Sequence, residues 1–178
     1  MVEDLLTAYI SEGSANCKTA LTDSSYRKKY QKEMKEANKG KPKKDRPHPD
    51  IEEDNFNMAT LGDAVLRLSL TNILYQEKVR GISKRRADYE SDEVLVTSIA
   101  AYYDIREHLL FDSEDENKIR YGYTYQGRQG NNNPQKFLAT AMEALLGAYY
   151  LDHNESMKKI NLVVKEWMKI IDKTEMTI

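Results

Sequence analysis

Cysteine, proline, glycine and long apolar runs are all scarce in this chain of 178 residues. A single cysteine, Cys17, excludes an intramolecular disulfide framework and a zinc site built from CxxC pairs, and it points to a reducing compartment. No apolar run approaches the roughly 20 residues that a membrane span needs. The acidic start, Met-Val-Glu-Asp-Leu-Leu, has no basic segment before an apolar one, so no secretory or transit signal is visible and the expectation is a cytoplasmic protein. Eight glycines and four prolines leave few breakers, and Ala, Leu, Lys, Glu and Met are plentiful, which favours helix. At 20.6 kDa one domain is expected, large enough to bury a core without covalent staples.

Charge of one sign is not scarce but unevenly placed. Residues 27–46 carry ten Lys and Arg against Glu33, Glu36 and Asp45, so this segment is +7, while the net charge of −2 leaves −9 for the rest. A basic stretch on an acidic body suits a polyanion, and equally suits a solvated lysine-rich face.

The helical periods lead to an all-α reading. Helices are expected over the first ten residues, over 17–36, and over 55–76, where Leu61, Val65, Leu68, Leu70, Ile73 and Leu74 recur at helical spacing. Shorter ones follow over 83–90 and 91–111, with Ser91 as N-cap, and two more over 135–151 and 155–172. Residues 38–50, with three prolines, and 121–134 read as loops, Pro134 opening the next helix. Tyr121, Tyr123 and Tyr125 in the second loop read as packing residues, Cys17 as a small core residue, and His48, His108 and His153 have no ligand spacing.

Within the two most apolar helices, isolated carboxylates stand out. Asp63 is the only charged residue between Met58 and Leu66, and Glu143 the only one between Phe137 and Leu151. An ionised carboxylate in an apolar helix needs a partner or a metal. Two on separate helices can converge on one Mg²⁺, which takes one or two carboxylates plus phosphate oxygens. Local pairing is the other reading, since Arg67 lies one turn from Asp63.

Three stretches in order carry a resemblance: Ala20-Leu21-Thr22-Asp23-Ser24-Ser25-Tyr26, Leu61-Gly62-Asp63-Ala64-Val65-Leu66, and Phe137 to Asp152 around Ala141-Met142-Glu143-Ala144. Together with Ser83–Ile99, they make the chain similar to the ribonuclease III endonuclease domain over roughly residues 16–170. The resemblance implies an all-α fold, a homodimer, and cleavage of double-stranded or structured RNA with Mg²⁺ (Mn²⁺ as a substitute) to 5′-phosphate and 3′-hydroxyl ends. It assigns Asp63 and Glu143 as catalytic, metal-binding carboxylates.

Departures accompany it. Glutamates expected one and two turns before Asp63 are Ala59 and Phe56, and an aspartate expected three residues before Glu143 is Thr140. Ala59, Thr140 and Arg67 therefore border the site. The compact Mini-III branch of active nucleases resembles this chain at Ala59 and Thr140; that branch has no appended double-stranded-RNA-binding domain, and none is expected here. A catalytically silent RNA-binding or assembly member is the alternative. The expected organisation is a single domain over 1–178 with a basic insertion at about 37–54. Phosphate contacts are then expected from Lys41, Lys43, Lys44, Lys84, Arg85, Arg86, Arg128 and Lys136, with room for an accessory RNA–protein partner.

Overall fold

The computed structural model describes residues 4–46, 51–112, 114, 123 and 135–175. Every regular element among them is helical: α1 (Leu5–Glu12), α2 (Ala15–Ala20), α3 (Ser24–Ala37), α4 (Asn55–Gln76), α5 (Ile82–Glu90), α6 (Asp92–Val94), α7 (Lys136–Asp152) and α8 (Met157–Glu175). Short 3₁₀ turns occupy Lys43–Asp45 and Ile105–Glu107, and α6 passes into π geometry over Leu95–Ala100. Among the described residues, no helix is long and apolar enough to cross a membrane.

The centre is α7, whose residues from Phe137 to Tyr149 are buried apart from Thr140 and Glu143. A helix apolar on nearly every side must be surrounded. Helix α4 packs along it with the stripe Ala59, Gly62, Val65, Leu66, Ser69, Leu70, Ile73 and Leu74. Helix α8 covers the assembly through Ile160, Val163, Val164, Trp167 and Ile171, and the π segment adds Leu95, Val96, Ile99 and Ala100, all fully buried. Polar links then fix the ends. Asp152, at the end of α7, accepts from Tyr9 Oη (2.6 Å), Ser14 Oγ (2.5 Å) and Asn16 Nδ2 (2.6 Å), tying α1 and α2 to it. Arg106 donates from Nη2 to Gln135 Oε1 at 2.8 Å and lies 5.5 Å from the Phe137 ring centre, holding the 3₁₀ turn against the start of α7.

The periodicity placed α4 and α7 within a residue of their observed ends, and Ser91 caps α6 by accepting from Val94 N. Three expectations need correction. The helix expected over 17–36 is broken at 21–23, because Thr22 pairs with distant Leu110 in an isolated parallel bridge: Asp23 N donates to Leu110 O and Leu110 N to Leu21 O, each 2.8 Å. Asp23 then starts α3 by accepting from Ser25 N. The helix expected over 91–111 stops earlier, since 108–111 lie beside that bridge and not in a helix. Leu68 belongs to the apolar pattern of α4 but is 56% exposed.

The loop expected at 38–50 is irregular apart from its 3₁₀ turn, as far as it is described. Most of 121–134 lies outside the described residues, as do Arg128, Pro134, His48, Tyr121 and Tyr125. Tyr123 packs as expected, donating to Asp104 Oδ1 at 2.7 Å and accepting from Arg106 N at 3.1 Å. Cys17 is fully buried.

Candidate active site

Glycine decides how closely α4 and α7 approach. A Cβ on Gly62 would stand 1.7 Å from the carbonyl oxygen of Glu143, and one on Gly147 would stand 2.5 Å from the carbonyl oxygen of Met58. The two backbones therefore touch, each through the other's missing side chain. Asp63 follows Gly62 directly, and Glu143 lies one turn before Gly147. Contact at the glycines thus brings both carboxylates to the same side of the crossing.

They line one open cleft of about 350 Å³, together with Phe56, Ala59, Thr60, Arg67, Glu90, Asp92, Lys136 and Thr140. Ala59 is buried and Phe56 is 69% exposed at the rim. Thr140 Oγ1 donates to Lys136 O at 3.1 Å, so its hydroxyl proton is committed to its own helix.

The two carboxylates differ in electrostatic setting. Asp63 Oδ1 stands 3.1 Å from Arg67 Nε, the local pairing its spacing allows. Glu143 has no hydrogen bond or ion pair among the described residues. Burial, then the charges of Asp63 and Asp92, push its carboxyl up to about 7, with Lys136 and Arg67 opposing.

Two further carboxylates enter the cleft that the spacing of the sequence did not single out. Glu90, at the end of α5, has its Oε2 3.1 Å from Arg86 Nε and 3.8 Å from Arg67 Nε. Asp92, in the first turn of α6, pairs with Lys136 Nζ at 3.3 Å. Their signal was weak because each reads as an ordinary helix-end charge; their place in the cleft depends on how α5 and α6 lie across α4 and α7.

The expected phosphate contacts scatter. Lys136 lines the cleft, and Arg86 lies behind it on Glu90. Arg85 pairs with Asp88 and Asp172 and donates to Tyr89 Oη at 2.6 Å, away from the cleft. Lys84, Lys41 and Lys44 are exposed, and nothing is described of the Lys43 side chain.

Residues 57–154 match the Ribonuclease III domain model, which covers more than half of the chain and includes both carboxylates. The chain belongs to the ribonuclease III family. It is 30% identical over 162 residues to Ribonuclease 3 of Phytoplasma mali, covering 87% of this chain and 58% of that protein. It is 32% identical over 108 residues to Ribonuclease 3 of Chlorobium luteolum, covering 58% and 35% respectively. The chain thus spans less than two thirds of the length of these relatives. A crystal structure of the nuclease domain of ribonuclease III from Campylobacter jejuni has the same fold, with a TM-score of 0.58 at 20% identity over 95% of this chain and 92% of that one. A second structure of that domain, described for its flexibility in a region involved in dimer formation, gives 0.59 over 94% of each chain. The ribonuclease III fold therefore holds across nearly the whole of this chain.

Proposed function

We propose that this chain is an Mg²⁺-dependent endoribonuclease domain that hydrolyses double-stranded or structured RNA with a reduced, Mini-III-like carboxylate set. The observation that carries the reading is Glu143: a half-buried carboxylate, raised to about 7, beside Asp63 in an open cleft and without a cation of its own. Hard oxygen donors with space beside them fit Mg²⁺, which keeps several waters and takes the remaining ligands from substrate phosphate. Asp63 and Glu143 would hold the ion. When bound, it supplies charge stabilisation at the scissile phosphate and lowers the pKa of the attacking water. Asp63 contributes a carboxylate already ordered by Arg67. Glu143 contributes one whose proton leaves near neutrality, and Lys136 partly offsets the charge of neighbouring Asp92.

The domain is read as a single unit over 1–178 with the basic insertion at about 37–54. Leu68 and Tyr75, seven residues apart on one side of α4, are apolar and exposed, which suits a second copy of the chain in a homodimer. Exposed Lys84, Lys41 and Lys44, with Lys136 in the cleft, supply part of the phosphate contact to a duplex whose backbone, more than its bases, is recognised.

One contact favours the silent alternative. Arg67 on Asp63 offers a counterion in place of a metal, leaving a fold that binds RNA without cutting it. Labelled duplex RNA incubated with Mg²⁺ or Mn²⁺ separates the two. Cleavage by the wild-type chain, lost in both Asp63→Asn and Glu143→Gln by a hundredfold or more, on the order expected for loss of a catalytic group, supports the nuclease. Retained binding with no cleavage by the wild type sinks it.

A further inference from the structure

Arg67 sits in the cleft on α4, one turn beyond Asp63, with its side chain 56% exposed. Its contacts are unlike those of its neighbours. Nε is 3.1 Å from Asp63 Oδ1 and 3.8 Å from Glu90 Oε2, whereas neither terminal amino group makes a hydrogen bond among the described residues. Arg85 spends both of its terminal nitrogens on Asp88, Tyr89 and Asp172. Arg86 donates from Nη1 to Thr71 Oγ1 at 3.2 Å and sets its Nε on Glu90. The shortest contacts of Arg67 are thus at the inner corner of its guanidinium, while the outer edge carries four N–H donors without a hydrogen bond among the described residues.

The surroundings explain why such an edge is useful. Four carboxylates line the cleft (Asp63, Glu90, Asp92 and Glu143), against the cations Arg67 and Lys136. Lys136 is already paired with Asp92. An RNA phosphate entering this acidic cleft needs a cation with donors to spare, in a geometry that fits two oxygens at once. A planar guanidinium provides that, and a lysine does not. Glu90 serves as the brace: its side chain is 15% exposed, fixed from behind by Arg86, and it faces Arg67 from α5.

We propose that Arg67 is a substrate-binding residue, its Nη edge taking two non-bridging oxygens of an RNA phosphate while Asp63 and Glu90 hold Nε. This rests on the reading of the chain as an RNA-cleaving domain, and it turns the contact that favours the silent alternative into part of the working site. Glu90 is a positioning residue, acting through Arg67.

The test compares the wild-type chain, Arg67→Gln and Arg67→Lys, with thermal unfolding as a control for folding. Affinity for a duplex RNA is measured in EDTA at several salt concentrations, and Mn²⁺ binding is measured separately without RNA. The expected result for Arg67→Gln is roughly tenfold weaker RNA binding, the scale of a lost charge-assisted contact. Its log–log salt slope should be shallower by about one. Arg67→Lys keeps the wild-type slope but does not recover the affinity, and neither variant binds Mn²⁺ more weakly than wild type. Unchanged RNA affinity and slope in Arg67→Gln overturn the inference; joined with tighter Mn²⁺ binding, they make Arg67 a counterion of Asp63 and nothing more. A wild-type chain that neither binds nor cuts duplex RNA overturns the parent reading instead, so the two failures are distinct.

Discussion

Helices α3 and α4 are consecutive in the chain and stabilised by opposite means. Helix α3 has 14 residues and none of them is buried. It is attached by its caps and by ion pairs, Arg27 Nε to Asp54 Oδ2 at 3.1 Å and Lys29 Nζ to Asp112 and Glu114 at 3.2 and 3.1 Å. Helix α4 is locked to α7 by burial and by backbone contact at two glycines. Lys28, Lys32 and Lys35 share one face of α3, because steps of four and three residues stay within about 60° on a helix. A side that buries nothing is free to carry charge; a side in backbone contact cannot vary by even a methyl group. The candidate chemistry sits on the second kind of surface, where position is fixed to a fraction of an ångström.

That contrast can be broken at its strongest point first. Gly62→Ala drives a Cβ into the Glu143 carbonyl and is expected to cost about 3 kcal/mol or more, since rigid backbones on both sides must separate. Urea denaturation measures it, and a loss below ~1 kcal/mol would show that the helices part easily. Gly147→Ala, with a less severe overlap at Met58, should cost less.

Glu143 gives the next effect. Its carboxyl rises from its ordinary 4.5 to about 7 in the folded chain, so between those values the folded state binds more protons than the unfolded one. The stability this group contributes is fully present below about pH 4.5 and is lost as pH rises through 7, by on the order of 3 kcal/mol. Glu143→Gln should flatten that slope and make the chain more stable than wild type at pH 8, as measured by urea midpoints at pH 5 and 8. Equal slopes would mean the cleft does not strain this carboxylate. A residue that destabilises the fold where it is ionised is a common property of active sites.

On the α3 side the effects shrink. Arg27→Ala removes one half-exposed ion pair and should cost about 1 kcal/mol. Lys28→Ala, Lys32→Ala and Lys35→Ala should each change stability by less than about 0.5 kcal/mol in thermal unfolding, because each side chain is exposed. A larger loss from any of the three would mean that α3 is packed more tightly than its burial indicates.

Much of this was legible beforehand, for a reason that applies to some elements and not others. The spans of α4 and α7 follow from apolar residues recurring at helical spacing, a signal carried inside each segment. The isolation of Asp63 and Glu143 in those spans was visible for the same reason. The break at 21–23 was not, because the partner of Thr22 is Leu110, 88 residues away. Leu68 misled because an apolar residue at the right period reads as core whether or not another element covers it. Glu90 and Asp92 were unremarkable as sequence and became cleft residues only when α5 and α6 lay across α4 and α7.

What the sequence alone determined is the helical class, the two long apolar helices, and one lone carboxylate on each. These depend on periodicity and composition, which are local. The tertiary structure decided that Gly62 and Gly147 face each other, that the two carboxylates share a cleft, and that Arg67 lies between Asp63 and Glu90 in it. Those depend on how closely two helices can approach, a distance set jointly by residues far apart in the chain, which no single segment encodes.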